Sequence, residues 1–437
     1  MNEKTADEWT PKSYPIPPHW EHAVFDDCFG TIPTTGLKIP QKEYAQSGTY
    51  PVIDQGADLI GGYTDDGTKV IHVSEPVLVF GDHTKCLKFI RQDFAPGADG
   101  IQVLASLGHE PKYLYYLYFS LRLPDRGYSR HFSFLKRSKF PIAPLNEQRR
   151  IVEKIENLFA ELDKGEESLR AAKAQAGLYR QSLLKHAFEG HLTADWRAAN
   201  TAEWSIEQLG DHLSFVTSGS RGWAKHYAET GDIFIRAQNL KHDALDLDDI
   251  AYVHLPKGKT EGVRTRVVEG DVLITITGAN VTKTAPVKSD LGVAYVSQHV
   301  ALCRPKGSLL TQYLYLFLIA EAAGRKQLNK AAYGAGKPGL NLANIKEVEI
   351  PIPKLAEQNE IISRLEVKLS ILDTLENDIE TQLAHSKALR QLILKRAFSG
   401  QLVSQDPADE PASKLLERIK AERKITPKAK RGKKANA

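Results

Sequence analysis

The strongest constraint on this chain is a long internal repeat. Residues 145–192 align without a gap on residues 355–402, 210 positions later, with 17 identities in 48. Shared positions include Leu145/Leu355, Glu147/Glu357, Gln148/Gln358, Arg180/Arg390, Lys185/Lys395, Phe188/Phe398 and Gly190/Gly400. A duplication of this length sets the architecture before any other element is considered. Both copies carry apolar residues at heptad spacing: Ile155, Leu162, Leu169, Ala176 and Leu183 in the first, and Leu365, Leu372, Ile379 and Ile393 in the second, with Ser386 as the exception. A second row (Ile151, Leu158, Ala172, Tyr179 against Ile361, Leu375, Leu389) supplies the other seam position. Neither copy contains proline, and each closes at a glycine placed as a C-cap, Gly190 or Gly400. About 40 helical residues at roughly 1.5 Å each make a rod on the order of 60 Å long. A homodimeric zipper would satisfy one such seam. Two copies in one chain favour pairing with each other, and equivalent units related by a twofold axis place the helices antiparallel.

The regions upstream of each rod repeat more faintly. Strand candidates are Tyr50–Ile53, Val77–Phe80 and Ile101–Ala105 in the first, and Ile233–Arg236, Val272–Ile276 and Val296–Cys303 in the second. Each region then has a Tyr-Leu-Tyr helix (Tyr113–Phe119; Tyr313–Leu318) and a Pro-Ile strand (Phe140–Ile142; Ile350–Ile352) leading into its rod. The expected fold is α+β: two similar mixed α/β domains joined by two long helices paired as an antiparallel coiled coil with pseudo-twofold symmetry. The expected segments are a first domain 1–144, first rod 145–192, second domain 193–354, second rod 355–402, and a linker, short helix (Lys414–Lys424) and basic tail over 403–437.

Composition narrows the function. The 437 residues are 42% apolar and 26% charged, a balance that excludes wholesale disorder. Net charge is +4, but residues 418–437 hold nine Lys or Arg against Glu422, so residues 1–417 sum to −4. Cys28, Cys86 and Cys303 lie far apart with no CxxC, giving neither a disulfide framework nor a zinc site, and a reducing cytoplasm fits best. The longest apolar stretch, near 313–323, is too short to span a bilayer, so no membrane role is expected.

Catalytic signatures are missing. Gly334-Ala-Gly-Lys337 resembles the end of a phosphate loop, yet the first glycine is absent and Pro338 stands where Ser or Thr is needed. No Asn/Asp-Pro-Pro-Tyr/Phe, GxSxG or HExxH occurs. Asp243, Asp246, Asp248 and Asp249 read as a solvated acidic turn, and Asp82–His83 as a satisfied loop pair. The expectation is a binder with no catalytic residue, no metal site and no cofactor of its own.

Clustered cations suggest the ligand. Arg122, Arg126, Arg130, Lys136, Arg137 and Lys139 against Asp125 give +5 over 122–139, and Arg325, Lys326, Lys330, Lys337 and Lys346 give +5 over 325–346. Both clusters lie between the Tyr-rich helix and the Pro-Ile strand. Two matching basic segments suit a protein that grips two places on one DNA duplex, since phosphate neutralisation supplies much of such affinity. In these segments Tyr128, Arg130, Tyr333, Gly334 and Lys337 are candidate backbone contacts, glycine allowing close approach to a phosphate. Base reading needs bidentate side chains. Candidates at loops and strand ends are Gln55, His83, Lys85 and Arg91 in the first domain, and Arg221, Arg236, Gln238, Asn280 and Gln298 in the second.

A family resemblance runs through these residues. Tyr333-Gly-Ala-Gly-Lys-Pro-Gly-Leu-Asn-Leu342 is followed by Ile350-Pro-Ile-Pro353, Leu355-Ala-Glu-Gln358, Leu394-Lys-Arg-Ala-Phe-Ser-Gly-Gln-Leu402 and Asp409-Glu-Pro-Ala-Ser413 before Leu415–Arg423. With Tyr50-Pro-Val-Ile-Asp-Gln-Gly56, Ile60-Gly-Gly-Tyr63 and Val79-Phe-Gly-Asp-His-Thr84, this order is similar to the specificity subunits of type I restriction-modification systems over about 14–424. The first half departs from the pattern where Ser129–Leu135 replaces the glycine-rich loop. The resemblance implies two target-recognition domains, each reading one half of a split, asymmetric DNA site, with the rods fixing the unread gap. It implies two methylation subunits that bind S-adenosylmethionine, and motor/nuclease subunits that use ATP and Mg. Glu147, Gln148, Phe188, Glu357, Gln358 and Phe398, in the repeated motifs, are then candidates for partner docking. A coiled-coil scaffold with no DNA role is the alternative, and would show no salt-dependent duplex binding. If the rods measure the gap, one heptad inserted into both adds roughly 10 Å of helix, about three base pairs at 3.4 Å each. Selection of bound duplexes with an unchanged gap would refute it.

Overall fold

Both repeat copies form the expected rods in the computed structural model, which describes residues 15–425 except 99, 122, 126, 128, 129, 202, 256–259 and 333–338. The first helix runs Leu145–Phe188 and the second Leu355–Ala397. Each stops a few residues before its expected bound because Gly190 and Gly400 take left-handed backbone, at φ +82° and +72°. There the N–H of His191 donates back to the His186 carbonyl, and that of Gln401 to the Arg396 carbonyl, closing groups the helix end leaves open. Gly400 is doubly fixed, since a Cβ there would lie 2.2 Å from Pro17 Cγ.

The chain divides into two compact units, residues 1–168 with 382–437, and residues 169–381. These cut across the five consecutive segments read from the sequence, because each unit combines one domain with part of both long helices. Within unit 1 the helices run antiparallel, Arg390 meeting Asp163 at 2.7 Å and Ser386 donating to Glu166 Oε1 at 2.6 Å. Within unit 2 they do the same through Lys173–Glu380 and Arg180–Asp373, both at 2.6 Å. The Arg180–Asp373 pair of unit 2 and the Arg390–Asp163 pair of unit 1 are the same repeat positions with roles exchanged. Antiparallel pairing of a duplicated sequence requires that exchange.

The first apolar row faces inward, with Ile155, Ala176, Leu183, Leu365, Leu372 and Ile379 buried. Ser386 is buried in the same row, its hydroxyl satisfied by Glu166. The second row is corrected: Ile151 and Ile361 are buried, but Tyr179, Leu375 and Leu389 are exposed at 52, 43 and 45%. Ile151 and Ile361 pack under the domains, whereas mid-rod each helix has one neighbour in its unit and covers only one narrow stripe.

The two domains are copies of one scaffold. In unit 1 an antiparallel sheet has the order Phe29–Ile32, Ile101–Ser106, Val77–Gly81, Leu87–Ile90, and in unit 2 the order is Leu213–Ser218, Val300–Pro305, Val272–Thr275, Thr284–Pro286. A second sheet pairs Tyr50–Ile53 in parallel with Ala95–Pro96, matched by Asp232–Ile235 with Ala294–Val296. The Tyr-rich helices are Pro111–Ser120 and Thr311–Ile319. Each buries one tyrosine whose hydroxyl donates to the Pro-Ile strand, Tyr113 to Pro141 O and Tyr313 to Pro351 O, both at 2.9 Å. The run Val296–Cys303, expected as one strand, is broken: Ala294–Val296 and Val300–Pro305 belong to different sheets, joined by a turn at Ser297–His299.

The six residues expected at a partner-docking surface instead build the joint between rod and domain. Glu147 accepts from Trp20 Nε1 at 3.0 Å and from Gln405 Nε2 at 2.6 Å. Gln148 accepts from the Glu110 N–H at 3.0 Å and donates to Ala143 O at 2.9 Å. Glu357 accepts from Thr193 Oγ1 and Arg197 Nε, and Gln358 bonds the Leu310 N–H, Ser308 O and Pro353 O, each at 2.8–2.9 Å. Phe398 packs on Tyr113, and Phe188 on Tyr313 and Phe317. All six are buried within their own unit, so their repetition records a structural joint.

Residues 412–425 form the expected amphipathic helix, whose Leu415, Leu416 and Ile419 complete the core of unit 1. Just before it, Asp409 pairs with Arg150 at 2.7 Å, which holds the carboxyl below its ordinary range. The unfolded chain therefore binds the proton more readily, so the pair adds stability above the ordinary carboxylate pKa and loses it as pH falls through the depressed value. Asp409→Asn is expected to lower the melting temperature at pH 7, with the difference shrinking below about pH 4. A pH-independent difference would count against it.

Candidate nucleic-acid interface

In unit 2 the loops at one end of the two sheets gather four of the five base-reading candidates. Arg236 and Gln238 follow the strand Asp232–Ile235, in a short helical turn over Ala237–Asn239. Asn280 lies in the hairpin between Val272–Thr275 and Thr284–Pro286, and its Nδ2 donates to Ala237 O at 3.2 Å. Gln298 sits in the turn that breaks the expected strand, where its Nε2 meets His299 Nε2 at 3.0 Å. His299 Nδ1 faces the Thr277 hydroxyl of the same hairpin. Arg221 is exposed on the adjoining loop, between Ser220 and Gly222.

That loop is pressed onto the turn by Gly219. A Cβ there would lie 2.3 Å from Val296 O and 2.4 Å from the Ser297 carbonyl carbon, so no larger residue fits without moving backbone. Between loop and turn lies a cavity of about 360 Å³, which has Arg236, Gln238, Gln298 and His299 in its lining. Its apolar wall is aromatic: Trp223 stacks on Phe234 at 4.7 Å, and Tyr227 meets Phe234 edge-on at 5.5 Å.

Charge around the site is balanced. Asp249 accepts from Gln238 Nε2 at 2.7 Å, and its main-chain carbonyl accepts from Arg236 Nη2 at 2.8 Å. Asp246 accepts the Asp248 N–H and the Lys241 ammonium, which holds its carboxyl below the ordinary range. Asp243, expected in the solvated turn, is instead half-buried between Arg325 and Lys283. Arg325 is itself buried, which removes it from the basic cluster; Lys326, Lys330 and Lys346 stay exposed. Tyr333, Gly334 and Lys337 lie outside the described residues. The exit of their loop is placed: the Leu340 N–H donates to Ile276 O at 2.8 Å, and Gly339 bridges Thr277, at the hairpin that meets His299.

Unit 1 uses the same scaffold positions differently. The hairpin after Val77–Gly81 carries His83 and Lys85, and Gln55 lies beneath it, accepting the His83 N–H at 3.3 Å while Thr84 Oγ1 donates to Gln55 O at 2.6 Å. Lys85 pairs with Asp125 at 3.2 Å, which holds that carboxyl below its ordinary range. Asp82 is buried and accepts the Phe132 N–H at 2.7 Å, at the start of the helix Phe132–Arg137. Arg91 is corrected: it follows the strand Leu87–Ile90, at the end away from the hairpin, with its guanidinium over Phe89. Arg130 is exposed in the segment leading to His131, and Tyr128 lies outside the described residues. The turn of unit 1 that corresponds to Ser297–His299 is closely packed at its two glycines. A Cβ on Gly97 would lie 2.4 Å from the Tyr44 hydroxyl, and one on Gly100 2.7 Å from Gln55 Oε1.

Sequence reasoning missed Trp223, Tyr227 and His299. The signals were present in Gly219-Ser-Arg-Gly222 between two strands, and in the polar Ser297-Gln-His299 interrupting an apolar run. Among the described residues no cluster of three or more His, Cys, Asp or Glu is arranged to hold a metal ion, and no helix is long and apolar enough to cross a membrane.

Comparison with known proteins agrees with this duplicated plan. The EcoKI specificity subunit of Escherichia coli, a type I restriction enzyme component, is 28% identical over 301 residues, covering 65% of this chain and 63% of that protein. The match thus spans less than two thirds of the relative's length. A solved chain from work on complex assembly and conformational transition of the type I R-M system has a TM-score of 0.66 at 19% identity, covering 89% of this chain and 100% of that one. The HsdS subunit from Thermoanaerobacter tengcongensis gives 0.50 at 21% identity, covering 89% and 98%. The type I restriction modification DNA specificity domain is matched twice, over residues 20–169 and 203–385, and with both scaffold copies accounted for in this way the chain belongs to that family.

Proposed function

We propose that this chain is the DNA-specificity subunit of a type I restriction-modification complex, each domain reading one half of a bipartite, asymmetric duplex site. The observation that carries the reading is the placement of Arg236, Gln238, Asn280 and Gln298 on three separate loops at one end of a scaffold that occurs twice with different loops. Planar amide and guanidinium groups are the side chains suited to base edges, and two divergent loop sets on one scaffold suit two unlike half-sites. The chain has no catalytic role of its own. Methylation subunits supply S-adenosylmethionine-dependent chemistry and motor/nuclease subunits the ATP- and Mg-dependent steps, in the cytoplasm. The test is selection of bound duplexes from a randomised pool by the full chain assembled with its methylation subunits, before and after exchange of residues 1–144 for those of a relative. One half-site is expected to change while the other is retained. Simultaneous change of both, or salt-insensitive binding without sequence preference, would overturn the reading.

A further inference from the structure

Asp249 is the member of the acidic turn that reaches the base-reading candidates. Asp243 pairs with Arg325 and Lys283, and Asp246 with Lys241. Asp249 instead straddles two side chains of the neighbouring loop: Oδ2 accepts from Gln238 Nε2 at 2.7 Å, and Oδ1 lies 3.4 Å from Arg236 Nη2. Its backbone is locked in that place. The Asp249 carbonyl accepts from Arg236 Nη2 and from Asn239 Nδ2, both at 2.8 Å, and the same nitrogen of the buried Asn239 holds the Asp246 carbonyl at 3.0 Å. Between them, Asp246 Oδ1 accepts the Asp248 N–H and tightens the loop. The Asp249 carboxylate itself is 71% exposed. An exposed ion pair adds little to stability, so holding the fold together does not account for so firmly placed a charge.

A carboxylate only accepts hydrogen bonds, whereas an amide has a donating end and an accepting end. Asp249 therefore fixes which way the Gln238 amide faces: its nitrogen is turned to the carboxylate, which leaves Oε1 and the second nitrogen proton for a ligand. Oxygen plus N–H is the fork that pairs with the N6 and N7 edge of adenine. On Arg236, Asp249 engages Nη2 and leaves Nη1, so the guanidinium too is held before a base arrives. We propose that Asp249 is a positioning residue that sets base specificity in unit 2, holding the Gln238 amide and the Arg236 guanidinium in one orientation without itself touching the duplex. A wrong base edge then meets donor against donor or acceptor against acceptor, and the fork cannot turn over to suit it. The inference rests on the reading of these loops as a DNA contact and adds the acidic turn to the parts that discriminate between bases.

The test is selection of bound duplexes by the full chain assembled with its methylation subunits. Gln238→Ala locates the position that this amide reads, as the one where base preference falls. Asp249→Asn supplies a group that donates as well as accepts, so the Gln238 amide can turn over, and preference at that same position is expected to fall roughly 10-fold while the other half-site is unchanged. Asp249→Glu keeps an acceptor-only group and is expected to retain most of the preference. In the Gln238→Ala background, Asp249→Asn should change nothing further at that position, because both act on one contact. Preference retained by Asp249→Asn where Gln238→Ala loses it overturns the positioning role and leaves the DNA reading standing, as does the absence of any position sensitive to Gln238→Ala. An even gain or loss of affinity across all duplexes, with preference intact, also overturns it, since the carboxylate would then act only through the fold or through phosphate repulsion. Failure of the wild-type assembly to select any sequence overturns both.

Discussion

Arg236→Ala is expected to relax base preference at one or two adjacent positions of a single half-site by roughly 10- to 100-fold, about 1–3 kcal/mol of discrimination. Arg236 follows the strand Asp232–Ile235, and the Arg236 N–H and the Asn239 side chain fix the turn through backbone contacts that alanine retains. The substitution therefore removes the guanidinium without unravelling its support. Arg221→Ala is the contrast. Arg221, also a base-reading candidate from the sequence, is exposed and flanked by residues lining the cavity; if it contacts phosphate instead, its loss should weaken binding evenly across sequences and lower the salt slope by about one. Selection of bound duplexes, repeated at two salt concentrations, separates the outcomes. Equal loss of preference in both half-sites on Arg236→Ala would count against the assignment.

Gln358→Ala is expected to be the most damaging single change to stability, at about 3 kcal/mol or more. Gln358 is fully buried and satisfies the Leu310 N–H, Ser308 O and Pro353 O together. Alanine leaves all three without their partner, and each orphaned buried group costs about 1–3 kcal/mol. Gln148→Ala removes a similar set in unit 1, the Glu110 N–H and Ala143 O. Urea unfolding should show both as large losses, each in its own unit's transition. A change below about 1 kcal/mol for Gln358→Ala would show that water replaces the amide and that the joint is not dry.

The joint shows how a correct sequence signal was given the wrong meaning. Glu147, Gln148, Glu357 and Gln358 stand out because they repeat, and a repeated polar motif at the start of a helix reads as a docking surface. Their burial shows that the motif welds the rod to its domain: the glutamine satisfies the loop before the Tyr-rich helix, and the glutamate satisfies elements beyond the rod's end. The second heptad row failed for a related reason. Leu375 and Leu389 keep the spacing of a seam, but spacing does not state how many neighbours a helix has at that level.

The sequence by itself determined the duplicated plan, the two rods with their glycine stops, and the types of side chain suited to base edges. These are local or periodic properties, decided by backbone preference and by the 3.6-residue turn. The tertiary structure alone decided which candidates share a site. Arg236, Asn280 and Gln298 meet because the strands ending in Ile235, Thr275 and Val296 finish at the same edge, and Arg91 is left out because its strand runs the other way. It also decided that Ser297–His299 is a turn between two sheets, and that Gly219 lets a loop close over it to form the cavity. Contacts between segments tens of residues apart follow from strand pairing and burial, and no single stretch of sequence contains them.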